Sequence, residues 1–201
     1  MRAPKALRIL HITSHLRPGG VTSYVTGVAT ALARRGHEVV VASGGGPMEP
    51  RLAEGNVAHW LLPLDTRAEA SPPVLMAGLQ LRWRLGAQPV DLIHAHTRVG
   101  QLLAWGLGRS LRRPTVATWH GFFRRRWFRR VLPCTGDLTI AISQPVAEHL
   151  RTVFEVPEAR IRTILHGIDV PRFGPACDAT RRETLRRSLG TSLHRTAADP
   201  V

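Results

Sequence analysis

The chain has 201 residues, 43% of them hydrophobic, and a formal net charge of +14. That length suits one globular domain, and no stretch approaches the roughly 18 unbroken apolar residues of a membrane span. Its two cysteines, Cys134 and Cys177, stand in unrelated contexts, which excludes both a disulfide framework and a paired-cysteine zinc site.

The charge is nearly all arginine, since Lys5 is the only lysine. A basic surface attracts phosphates, whether on nucleic acid, anionic lipid or a phosphorylated acceptor, and charge alone does not choose among them. The basic N-terminus is followed by an apolar run that Arg8 and His11 interrupt, which reads as a strand and not as a signal-peptide core. A cytoplasmic protein is expected, peripheral on the inner membrane face if it meets lipid.

Taken in chain order, the apolar run Leu7–Thr13 predicts a strand, Pro18, Gly19 and Gly20 a loop, and Val21–Arg35 a helix stopped by Gly36. Strands are expected at His37–Ser43, Trp60–Leu64, Asp91–Thr97, Pro114–Trp119, Asp137–Ser143 and Ile161–Leu165, with helical patterns around 74–85 and 99–111. Alternating strands and helices predict an α/β fold with a doubly wound, Rossmann-like parallel sheet.

In such sheets ligands bind beyond the carboxyl ends of the strands. The residues there are Gly19, Gly20, Ser43 to Gly46, His96, His120, Gly121, Ser143, His166 and Gly167. Two glycines between a strand and a helix N-terminus let backbone N–H groups approach a phosphate. The loop lacks the spacing of dinucleotide enzymes, and no acidic residue follows the second strand to hold a ribose, which argues against an NAD(P) oxidoreductase.

His94 and His96 share a face of their strand. Without a third ligand nearby they make a poor zinc site, and no metal is expected. His11 and His15 flank the end of the first strand, where His15 can line an acceptor pocket.

From Phe122 to Leu132, Phe123, Trp127 and Val131 fall at helical spacing among five arginines. Such a helix can lie in a membrane interface, with Arg124, Arg125, Arg126 and Trp127 touching lipid or acceptor, or pack its aromatic stripe on the sheet. Both readings stay open; nucleic-acid binding is not expected, because no recognised module accompanies the mixture.

Residues 178–190 predict a short charged helix ending at Gly190, and 191–201 show no pattern. The expected domain division is 1–175 for the sheet domain and 176–201 for a linker helix with a disordered tail.

A set of short motifs then assembles: Pro18-Gly-Gly-Val21, Gly36-His-Glu-Val39, Asp91-Leu-Ile-His-Ala-His96, Thr118-Trp-His-Gly121, Ala141-Ile-Ser143 and His166-Gly-Ile-Asp169. In this order and spacing they resemble the N-terminal, acceptor-side domain of family 4 GT-B glycosyltransferases over about residues 7–190. The resemblance implies a nucleotide-sugar donor as substrate and an acceptor that is lipid-linked in many relatives.

It also implies a loop at Gly19 and Gly20 that meets the donor diphosphate, and His120 beside the anomeric carbon. Retention of configuration without a cofactor or metal is part of the same implication, with the leaving diphosphate taking the acceptor's proton. His120 then acts as an electrostatic positioner.

Two departures accompany the resemblance. His166 stands where the family usually has Asn, and no two glutamates are separated by seven residues, as they are in the family's donor-binding C-terminal domain. That domain is expected to be absent, which would leave the lone chain inactive: an acceptor-binding subunit or a truncated gene product.

Overall fold

The structure is a computed structural model, in which residues 5–66, 68, 69, 71–124, 129, 131–167 and 179–196 are described. The chain divides into two compact units, Met1–His166 and Gly167–Val201.

In the first unit a seven-stranded sheet alternates with helices. The elements are β1 (Arg8–Ile12), α1 (Gly20–Arg34), β2 (Glu38–Ser43), α2 (Glu49–Glu54), β3 (Ala58–Leu61), α3 (Pro72–Ala87) and β4 (Leu92–Ala95). They continue with α4 (Arg98–Leu111), β5 (Thr115–Trp119), β6 (Leu138–Ala141), α5 (Gln144–Phe154) and β7 (Ile161–Thr163). All pairings are parallel, in the order β3-β2-β1-β4-β5-β6-β7.

The interior strands are buried on both faces, which is why β2 reads as an unbroken run of Val39, Val40, Val41 and Ala42. Alternate residues feed two cores. Leu10, Ile12, Val40, Ala42, Ile93 and Ala95 pack with Val74, Ala77 and Leu81 of α3 and Leu103 and Leu107 of α4. Val39 and Val41 face the other way, onto Val25 and Ala29 of α1 and Leu52 of α2.

Further along the sheet, Ala117, Trp119 and Ala141 pack with Val146, Leu150 and Phe154 of α5. Thr97 caps α4 by accepting a hydrogen bond from the Gly100 N–H. Gly100 itself lets that helix lie against β1, where a Cβ would stand 2.7 Å from the Ile12 carbonyl oxygen.

The second unit contains α6 (Ala179–Thr196). The helix expected over 178–190 therefore runs six residues further, into the stretch that shows no sequence pattern. Gly190 lowers helix propensity without forbidding helix, and no proline follows before Thr196 to break it. The short α2 was not expected at all, because Gly44, Gly45, Gly46 and Pro47 before it read as loop. No helix among the described residues is long and apolar enough to cross a membrane.

Candidate functional site

The strand order turns back at β1 and β4, neighbours in space whose crossovers lead to opposite edges of the sheet. A crevice at the carboxyl ends of the strands forms at such a reversal. Here it is lined with imidazoles. His11 of β1 is paired in register with His94 of β4, and both point to the α1 side because Leu10, Ile12, Ile93 and Ala95 fill the other.

His96, just beyond β4, completes a buried trio: His11 Nδ1 and His96 Nε2 are 2.9 Å apart, and His94 Nε2 lies 2.7 Å from the Thr118 hydroxyl of β5. His11 Nε2 and His96 Nδ1 have no hydrogen-bond partner among the described residues.

From the trio a chain of rings leads outward. The Tyr24 ring, one turn into α1, is 5.7 Å from His96, 4.9 Å edge-on from His120 at the end of β5, and stacked at 4.7 Å on the exposed His166. His120 is half-buried, yet both its ring nitrogens are shielded and unpartnered among the described residues.

Burial sets the protonation state of these rings. It lowers His11 and His120 to about 4, with the neighbouring His166 adding to the effect on His120. It also holds His94 and His96 well below the ordinary imidazole range, each depressed further by the histidines beside it. At neutral pH the cluster is a set of uncharged rings, each with one donor and one acceptor nitrogen. Such a set can orient hydroxyl groups without adding charge.

The expectation that His94 and His96 lack a third ligand is corrected here. His11 supplies it from the adjacent strand, and one nitrogen from each ring falls within 4.8 Å of the others. Three imidazoles alone bring no negative charge, so a divalent ion held by them would need a fourth ligand such as water or hydroxide. Two of the three rings already bond each other.

The other expected site residues are spread around this cluster. Gly19 is the exposed N-cap of α1 and Gly20 its first residue; neither a side-chain cap nor an acidic residue occupies that helix start. A Cβ on either glycine would meet open space.

His15 stands apart from the rings, half-buried, its Nδ1 accepting from the Arg17 N–H at 3.3 Å. Gly121 is half-buried beside open space, and Ser143 caps α5 by accepting from the Val146 N–H. Gly167 is exposed and belongs to the second unit. The glycine loop after β2 is structural, since a Cβ on Gly44 or Gly46 would strike the backbone of Asp65 or Leu16.

Of the basic aromatic segment, Arg124 is exposed, while Arg125, Arg126 and Trp127 lie outside the described residues. Phe122, Phe123 and Arg124 are not helical, so the expected helix does not begin at Phe122. Phe123 packs edge-on against Trp119 with the Arg129 guanidinium over its face. Arg98, unremarked in the sequence, anchors this region: it pairs with Glu69 at 2.9 Å and donates to the carbonyls of Leu132 and Pro133.

Two participants escaped the sequence reading. Tyr24, the single tyrosine of the chain, looked like one more residue of an amphipathic helix. His11 looked like a flank of β1, although a histidine inside an otherwise apolar strand was the available signal.

An open parallel sheet with histidines at its reversal point defines a Rossmann-like α/β domain as its class. The family model for Glycosyltransferase Family 4 matches residues 18–172. The chain belongs to that family.

Among solved structures it resembles a glycosyltransferase from Rickettsia africae ESF-5, with a TM-score of 0.76 and 18% identity over 93% of this chain and 50% of that one. It also resembles Anabaena HepE in complex with UDP-glucose, with a TM-score of 0.72 and 19% identity over 92% and 50%. MurG of Acinetobacter baumannii matches with a TM-score of 0.58 and 14% identity over 83% and 48%. These likenesses establish the N-terminal half of the GT-B fold, and the chain spans about half the length of each structure. No curated protein matches.

Proposed function

We propose that this chain supplies the acceptor-side half of a glycosyltransferase that moves a sugar from a nucleotide-sugar donor to an acceptor, with a lipid-linked acceptor the favoured class. The observation that carries the reading is the contact between Tyr24 and His120. It brings the uncapped start of α1 and a neutral imidazole to the same mouth of the crevice.

The roles follow from the chemistry of each group. N–H groups at Gly20 and the next residues, with the positive end of the helix, suit the donor diphosphate. His120, kept uncharged, suits a hydrogen bond to the transferring sugar, with His96 and Tyr24 fixing its ring. Charge developing on the leaving diphosphate is met by the fixed helix dipole, which needs no reorganisation during the reaction. No metal enters this scheme, and no side chain is required as base if the diphosphate accepts the proton.

The test is a titration of the chain with UDP-glucose, followed through its amide and imidazole NMR signals. Weak, saturable shifts confined to residues 19–24, His96 and His120 are expected, and His120→Ala should abolish the sugar-dependent part. Shifts elsewhere, or none at the highest concentration reached, would sink the reading.

A further inference from the structure

Helix α3 is apolar on two opposite sides. Val74, Ala77, Leu81 and Leu85 face the core. On the far side Leu75, Leu79 and Trp83 recur at helical spacing, 62%, 72% and 77% exposed, with Met76 beside them at 51%. A helix apolar all round is ordinarily enclosed, and an apolar patch left on a surface marks a place of contact.

The surroundings of this stripe are cationic. Arg82, exposed on its flank, reaches Ser110 of α4; Arg84 lies over the Trp60 ring; and on α4 exposed Arg109 lies over the ring of Trp105. Arg112, also exposed, caps the end of α4. There is no acidic residue between Glu69 and Asp91, nor between Asp91 and Asp137.

We infer that the outer face of α3, with the arginines of α3 and α4, is a docking surface for an anionic lipid bilayer. The helix lies in the plane of the interface, with Leu75, Leu79 and Trp83 among acyl chains. The guanidinium groups sit at the level of the lipid phosphates. Charge decides between this occupant and a second copy of the chain. Two such faces would bring arginines against arginines, whereas a negatively charged surface complements them. The surface uses none of the residues Arg124 to Trp127, and it does not rest on the sugar-transfer reading.

The experiment is co-sedimentation of the whole chain with vesicles of phosphatidylcholine, with and without phosphatidylglycerol, over a series of salt concentrations. Binding is expected only with phosphatidylglycerol and should weaken as salt rises. Leu75→Ser/Leu79→Ser/Trp83→Ser should lose it by roughly tenfold or more while keeping its far-ultraviolet circular dichroism. Should the triple variant misfold, Leu79→Ser alone gives the same test with a smaller loss. Equal binding to neutral vesicles, or undiminished binding by the variants, overturns the proposal. So does a dimer in sedimentation equilibrium that the variants dissolve, joined to absence of vesicle binding, since the face would then belong to a second copy.

Discussion

At the scale of single residues, the buried imidazoles couple the stability of the fold to pH. His11 and His120 titrate at about 4 in the folded chain against 6.5 when free of burial. Between these values the unfolded chain binds more protons than the folded one, so stability rises with pH across the interval. It is complete above about pH 6.5 and is lost as pH falls toward about 4, by something on the order of 3 kcal/mol for His11 alone. Urea midpoints measured across this window should fall steadily on acidification; midpoints that stay level would show that the rings are not buried neutral.

The same residues mark how far a sequence can be read. His96 and His120 were legible because each directly follows an apolar strand, and position after a strand implies the crevice. The pairing of His11 with His94 was not, because it depends on which strands become neighbours, and β2, β3 and the helices between them separate the two in sequence. Tyr24 was hidden for a related reason: a helical repeat says which face is covered, not which ring stands above it.

At the scale of elements, two glycines on α4 are expected to behave in opposite ways. Gly100→Ala places a methyl 2.7 Å from the Ile12 carbonyl oxygen, and backbone on both sides leaves little room to yield. A loss of about 1–3 kcal/mol is expected. Gly106→Ala meets nothing within 4 Å and restores helix propensity, for a gain of about 0.5–1 kcal/mol. Thermal denaturation of the two variants checks both signs, and a stabilised Gly100→Ala would mean that α4 does not lie so close to β1.

Strand boundaries were less legible than the strands themselves, and the helices Glu49–Glu54 and Gln144–Phe154 were not expected. All seven strands were expected, yet the third was read as Trp60–Leu64 and spans Ala58–Leu61. Leu62 and Leu64 are buried beyond the end of that edge strand, and their apolar character imitated its continuation. The last strand was read through Leu165, whereas it ends at Thr163 and leaves Ile164 and Leu165 largely exposed. Hydrophobicity alone cannot separate a paired residue from an apolar neighbour past the ladder.

At the scale of the whole molecule, the net charge of +14 is a source of self-repulsion that the fold must bear. Ion pairs such as Arg8–Glu38 and Arg98–Glu69 relieve it locally, but fourteen acidic residues cannot partner twenty-eight basic ones. Moderate sodium chloride should therefore raise the thermal midpoint by screening like charges. A midpoint that falls with salt would mean that the native ion pairs outweigh the repulsion.

The all-parallel strand order also governs the path by which the chain reaches its structure. No two neighbouring strands are joined by a tight turn, so every pairing must wait for an intervening crossover to be made. One interior strand waits longest: β1 is the first strand in the chain, yet Ile9 cannot meet Leu92 until two complete strand-helix units lie between them. Contacts of such long sequence separation slow folding. A nascent chain therefore carries β1 with one edge unpaired through much of its synthesis, and the histidine crevice takes shape only when β4 arrives.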